Sequence, residues 1–172
     1  ILNSLGVEKK IPLYNFLGSN LELSNTPYFP HVSFDEFKYI KADVPFHEKW
    51  NLNKCIQRDS KRESLIFNKY VKKENYVVTH LKASIHTADF DKSLIPGNFQ
   101  VIEIDNYGFV LDWLKVIEKA KMIFMTNSVM ANITEQLNIG KCRHYIPRTN
   151  VFINPTFINN WIWLKNKNLD PK

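Results

Sequence analysis

Short apolar runs alternate with helical periodicity along the second half of the chain. Runs rich in β-branched and aromatic residues, bounded by polar turns, are typical of buried strands. They occur at residues 76–80, 100–104, 121–125 and 142–146, and helical patterns lie at residues 110–120 and 128–138. Strands separated by single helices pair in parallel through right-handed crossovers. The sequence therefore predicts an α/β fold with a Rossmann-like, doubly wound parallel sheet flanked by helices.

Two further helices are predicted before the first of these strands. Residues 33–36 form a capping box, and a helix follows until Val44 and Pro45 stop it. A second helix at residues 59–71 is capped by Asp59 or Ser60. Its periodicity predicts that the apolar side chains facing the core are Leu65, Ile66, Phe67 and Tyr70.

The ends of the chain indicate how it is organised. It opens at Ile1 without a start or signal pattern, and residues 11–17 are typical of a short strand that runs into a turn. We expect a fragment in which residues 1–50 hold the end of a preceding half-domain and a connecting segment. Residues 51–172 would then form a Rossmann-like nucleotide-binding domain, with an aromatic tail at residues 152–164 that packs on the core.

Charge and composition narrow the class of protein. The net charge is +6, but Lys and Arg are interleaved with acids, as at residues 61–63 and 72–74. This pattern indicates solvated helix faces and argues against nucleic-acid binding. Cys55 and Cys142 stand far apart, which predicts buried free thiols. No apolar run approaches the roughly 20 residues of a membrane helix, so we expect a cytoplasmic protein without a membrane span.

The first candidate site comprises Thr126, Asn127 and Ser128, where a buried strand leads into a helix. A helix start offers unpaired N–H groups and partial positive charge, which suit a phosphate. The alternative is that Asn127 or Ser128 serves only as the helix N-cap.

The loop after the strand at residues 76–80 is the second candidate, because His80, Lys82 and Ser84 follow in quick succession. A lysine could neutralise a diphosphate, and a histidine could donate to it. The alternative is ordinary solvation of the loop. His80 and His86 with Asp89 match no compact metal motif, so we expect no metal site.

Two more candidates follow later strands. Asp105 or Asn106 could hold a ribose hydroxyl, and Tyr107 or Phe109 could stack on a base. Arg148 lies past the last predicted strand, at the same sheet edge, and its alternative role is a surface salt bridge.

Residues 109–137 resemble the donor-binding half of GT-B-fold glycosyltransferases. In those proteins a helix carrying Asp-Trp, here Asp112-Trp113, precedes a strand that ends in a small polar turn, and the next helix start faces the donor diphosphate. Residues 33–39, 44–50 and 57–63 look similar to a loosely characterised branch of this family from bacteria and large viruses.

The resemblance implies metal-independent transfer of a sugar from a nucleotide-sugar donor to a glycan or another acceptor, with no further cofactor. It implies diphosphate contacts from Thr126, Asn127 and Ser128, from the loop at residues 80–84 and from Arg148; the catalytic residues are unknown. The sequence departs from the family after His80, where acidic and serine-rich residues are expected. The alternative is therefore a non-catalytic module that serves protein assembly, through the aromatic tail, or glycan binding.

Overall fold

The computed structural model describes residues 32–82, 87–105, 107–148 and 155–169, which divide into two compact units. The first unit holds the described residues up to Ile56 together with residues 155 and 156. The second holds the other described residues from Gln57 onwards. The predicted strand at residues 11–17 lies outside the described residues, and the division at residue 50 stays a prediction.

The first unit contains helix α1, Phe34–Lys41, and a 3-10 helix, Phe46–Cys55. α1 begins as predicted, because the Ser33 hydroxyl accepts the N–H of Glu36 at 3.4 Å. Lys49 is buried, and its ammonium group donates to the carboxylate of Asp35 at 2.5 Å and to the carbonyl of Thr156 at 2.6 Å. This buried ion pair ties the two helices of the unit to residue 156.

The second unit is an α/β domain built on a five-stranded parallel sheet, which confirms the predicted fold class. The strand order is β2-β1-β3-β4-β5, and every neighbouring pair is parallel. A 3-10 turn, Val110–Trp113, leads directly into α3. The elements in chain order are α2 (Ser60–Tyr70), β1 (Tyr76–His80), β2 (Gln100–Glu103), α3 (Leu114–Lys119), β3 (Met122–Thr126), α4 (Val129–Gln136), β4 (Arg143–Ile146) and β5 (Trp161–Trp163).

The two faces of the sheet are covered differently. The helix face, which carries Val78, Ile123 and Met125, packs against α2, α3 and α4. The loop face carries Val77, Phe124 and Ile146 and is covered by the β1–β2 connection, chiefly through Ala88 and Phe90. The winding direction reverses after β2. Right-handed crossovers therefore place the β1–β2 connection on one face of the sheet and the β2–β3 connection on the other.

Two expectations about side-chain burial are wrong. Leu65 is 70 % exposed, whereas Ile66 is buried and Phe67 and Tyr70 are partly buried against the core. The inward face of α2 also carries Glu63, and Leu65 lies about two-fifths of a turn from the centre of that face. Cys142 is a free thiol but is exposed, since it lies in the turn before β4.

Glu135 of α4 holds the connection that leads to β5. Its carboxylate is fully buried and accepts the N–H of Ile158 at 2.7 Å and of Asn159 at 3.1 Å, and the indole N–H of Trp161 at 2.8 Å. This confirms that the described part of the aromatic tail packs on the core at Trp161. It also adds a strand that the sequence analysis missed, because three residues are too few for a pattern.

We predict that Glu135→Ala lowers the free energy of unfolding by about 3 kcal/mol, because three N–H donors, among them the buried Trp161 indole, lose their acceptor. Glu135→Gln keeps one acceptor oxygen and turns an amide group towards the Trp161 indole N–H, so it should cost less, about 1–2 kcal/mol. Urea unfolding followed by tryptophan fluorescence measures both. Glu74→Ala, at an exposed position, is the control, and equal effects at residues 74 and 135 would contradict the prediction.

Candidate functional site

The carboxyl ends of β1, β3 and β4 lie at one edge of the sheet, where most of the predicted site residues are found. β2 pairs with one side of β1 and β3 with the other. The winding direction therefore reverses between β1 and β3, and ligands of doubly wound sheets bind at the carboxyl ends beside such a reversal. His80 ends β1, and Thr126 ends β3. The fold thus brings these two predicted residues to the edge at which doubly wound sheets bind ligands.

His80 and Ser128 meet at this reversal. The Nδ1 atom of His80 lies 3.0 Å from the Ser128 hydroxyl oxygen, which also accepts the N–H of Ala131 at 3.3 Å. Ser128 is thus the N-cap of α4, as the alternative interpretation had it. Assigning the Ser128 hydrogen to Nδ1 leaves the proton of a neutral imidazole on Nε2. Burial lowers the pKa of His80, although the Glu103 carboxylate acts in the opposite direction. The lowered pKa favours the neutral form of His80 at pH 7.

The start of α4 keeps some of its capacity to bind an anion. The first N–H groups of a helix have no partner within the helix, and the Ser128 cap satisfies that of Ala131. The N–H groups of Val129 and Met130 remain as helix-start donors. The first turn contains no acidic residue, so no carboxylate there offsets the partial positive charge of the helix.

Two buried polar atoms at this edge have no hydrogen-bond partner within the part of the chain that the structure describes. They are the Thr126 hydroxyl oxygen and the Arg148 Nε. Thr126 is fully buried and pairs in register with Ile146, and Arg148 follows Ile146 by two residues. Leaving such a group unpaired costs about 1–3 kcal/mol. Asn127, between Thr126 and the cap, is half-buried.

Lys82 and Asp105 take no part in the His80–Ser128 contact. Lys82 is exposed and forms an isolated bridge with Thr87, and Ser84 lies outside the described residues, as do His86 and Asn106. Asp105 accepts the hydroxyl of Tyr70 at 2.7 Å and the N–H of Tyr107 at 2.8 Å. These bonds hold the turn after β2, and burial together with Asp105 raises the pKa of Tyr70 to about 12.

The two rings proposed to stack on a base already contact cations. The Lys69 ammonium lies 3.1 Å from the centre of the Tyr107 ring. The Arg62 guanidinium lies 4.3 Å from the centre of the Phe109 ring. One face of each ring is therefore occupied by a side chain of α2.

The sequence analysis missed a cavity on the loop face and a carboxylate beside it. The cavity has a volume of about 680 Å³ and lies over β1 and β2. Glu103, the last residue of β2, is exposed and lines this cavity. The alternation of side chains along β2 could have predicted that Glu103 lies on the face opposite Ile102. The cavity itself could not be predicted from the sequence, because it depends on the path of the β1–β2 connection.

Comparisons with protein-family models, with curated proteins and with solved structures give no match. None of the helices formed by the described residues has the length and apolar character needed to cross a membrane.

We predict that Ser128→Ala lowers the free energy of unfolding by about 1 kcal/mol, the usual cost of losing an N-cap. The amide hydrogen of Ala131 should exchange faster in the variant, because its acceptor is gone. Ser60→Ala is the control, since Ser60 follows the Asp59 cap of α2 and is exposed. Unchanged protection of Ala131 would contradict the assigned cap.

Proposed function

We propose that the carboxyl edge of β3 and β4 binds the diphosphate of a nucleotide-sugar donor, and that the protein transfers the sugar to a glycan or another acceptor. In this proposal the second unit is the donor-binding half of a GT-B-type glycosyltransferase. The observation that carries it is the pair of unpartnered buried atoms, the Thr126 hydroxyl and the Arg148 Nε. A diphosphate supplies the acceptor oxygens that both atoms lack.

The chemistry of the neighbouring groups suits an anion. The guanidinium of Arg148 forms strong hydrogen bonds to phosphate oxygens, and the N–H groups at the start of α4 add donors and partial positive charge. Lys82 is an exposed cation on the chain that leaves β1. The net charge of +6 favours the approach of an anionic donor.

These groups would act on the leaving group of the reaction. When the bond between the anomeric carbon and the diphosphate oxygen breaks, the electron pair stays on that oxygen, and negative charge develops there. Fixed donors around the diphosphate stabilise this charge. A neutral His80 whose Nδ1 accepts the Ser128 hydrogen would carry its proton on Nε2 and could provide one such hydrogen bond. The acceptor oxygen bonds to the anomeric carbon and gives its proton to a base, which we do not assign.

Thr126→Val tests the diphosphate site, because it removes the unpartnered hydroxyl and keeps the shape of the side chain. We expect unfolding stability to stay equal or to rise by about 1 kcal/mol, while the affinity for nucleoside diphosphates falls about tenfold. Arg148→Gln should weaken binding by at least as much. Calorimetric titration with nucleoside diphosphates and inorganic pyrophosphate measures both effects.

Thr134→Val is the matched control, since Thr134 of α4 is fully buried and its hydroxyl donates to the Met125 sulfur on the helix face of the sheet. Its binding should equal that of the unmodified protein. If Thr126→Val gains stability and binds every nucleoside diphosphate and pyrophosphate as before, the site lies elsewhere.

A second candidate function is a non-catalytic module that assembles through β5. This strand lies at the end of the strand order, and Ile162 and Trp163 are each more than half exposed on it. Exposed apolar residues on an edge strand favour pairing with another chain.

Ile162→Lys distinguishes this second candidate, because a charge on an edge strand opposes pairing. We expect the variant to sediment as a monomer at concentrations where the unmodified protein associates. Leu65→Lys, at an exposed apolar position on α2, should not alter association. An unmodified protein that is monomeric and turns over a nucleotide sugar would remove this candidate.

A further inference from the structure

The cavity on the loop face has the size and lining of a small-molecule site. Its volume of about 680 Å³ falls within the range of roughly 300–1,000 Å³ that is typical of such sites. No α-helix of the second unit covers this face among its described residues, so the β1–β2 connection forms one wall and the two strands form the floor. The apolar lining comes from Leu81, Phe90, Ile95, Pro96, Phe99 and Val101.

Glu103 provides an unused hydrogen-bond acceptor at the carboxyl end of this cavity. Its carboxylate is exposed and takes part in no hydrogen bond or ion pair with the described residues, although its charge acts on His80. The other acid near this end of β2, Asp105, is engaged by Tyr70. A ligand in the cavity that carries hydroxyl groups could therefore donate to Glu103 without breaking an existing contact.

The cavity and the proposed diphosphate site lie within reach of one ligand. On β1, Thr79 pairs in register with Glu103 of β2 on one side and with Phe124 of β3 on the other. Thr126 lies two residues beyond Phe124 on β3 and on the same face of the sheet. Strand spacing and rise place the Cα atoms of Glu103 and Thr126 about 12 Å apart. A ligand with an apolar ring, a diol and a diphosphate, in that order, matches the cavity, Glu103 and the strand ends.

We propose that this cavity holds the nucleoside of the donor, with the base against its apolar walls and the ribose hydroxyls donating to Glu103. The inference rests on the proposed diphosphate site and adds to it a residue that selects ribose over deoxyribose. An acid at the end of the second strand has this role in doubly wound sheets that bind dinucleotides. A cationic apolar ligand would also satisfy Glu103, but it would leave Thr126 and Arg148 without an acceptor.

The test is calorimetric titration of the full chain with the four common ribonucleoside 5′-diphosphates, their 2′-deoxy forms and inorganic pyrophosphate. The unmodified protein should bind at least one ribonucleoside diphosphate about tenfold more tightly than its deoxy form. Glu103→Ala should abolish this difference and leave pyrophosphate binding unchanged.

Val101→Trp tests the cavity itself. Val101 is 53 % exposed on edge strand β2, so the larger ring can be accommodated and should fill the space meant for the base. We expect the affinity for the nucleoside diphosphate to fall to that for pyrophosphate. Leu65→Trp, at an exposed position on α2, is the control and should bind as the unmodified protein does.

The outcomes separate this inference from the diphosphate proposal. If pyrophosphate and nucleoside diphosphates bind with equal affinity, the nucleoside makes no contact, and the inference fails while the diphosphate site stands. If ribose and deoxyribose forms bind equally, or if Glu103→Ala weakens both alike, the role of Glu103 is overturned. If no diphosphate of any kind binds, the proposed function and this inference fail together.

Discussion

The parallel pairing of β1 with β3 is the constraint from which the rest of the domain follows. β1 lies inside the sheet with all of Tyr76–Thr79 buried, so its neighbours must be strands that the chain reaches by crossovers. The chain goes to one side of β1 for β2 and returns to the other side for β3. Since both crossovers have the same hand, their connections lie on opposite faces. The carboxyl ends of β1 and β3 therefore lie at the reversal, where doubly wound sheets bind their ligands.

The same constraint separates a closed face from an accessible one. The crossover after β2 contains α3 and the one after β3 contains α4, and with α2 they close the helix face around Trp113 and Val116. The described part of the β1–β2 connection carries a short 3-10 turn, Lys92–Leu94, and no α-helix. A segment without an α-helix covers less area, which leaves the cavity over β1 and β2. The sites proposed for the diphosphate and the nucleoside both depend on this asymmetry.

The sequence predicts the sheet well because β1 and β3 are largely apolar and because α1, α2 and α4 each begin at a capping side chain. Parallel pairing then places strand ends at one edge, so Thr126 and Arg148 could be selected without any knowledge of contacts. Contacts between residues that are distant in the sequence could not be predicted in this way. The bond from Tyr70 to Asp105 and the position of β5, which depends on Glu135, are set by tertiary packing. For the same reason, the sequence does not show which of the adjacent apolar residues in α2 face the core, and the prediction that Leu65 does so is wrong.

Buried polar side-chain atoms elsewhere in the described part of the chain have hydrogen-bond partners, and the carboxyl edge of the sheet differs in this respect. Glu63 is buried and receives two hydrogen bonds from Arg58, and the Glu135 carboxylate receives two from the β4–β5 connection and one from Trp161 of β5. Among the described residues the exceptions are Thr126 and Arg148, at the ends of neighbouring strands. Valine would fill the position of Thr126 at a lower cost in free energy, because it carries no hydroxyl to desolvate. The unpartnered hydroxyl lies beside the reversal of the sheet and the start of α4, and for this reason we propose that a ligand completes its hydrogen bond.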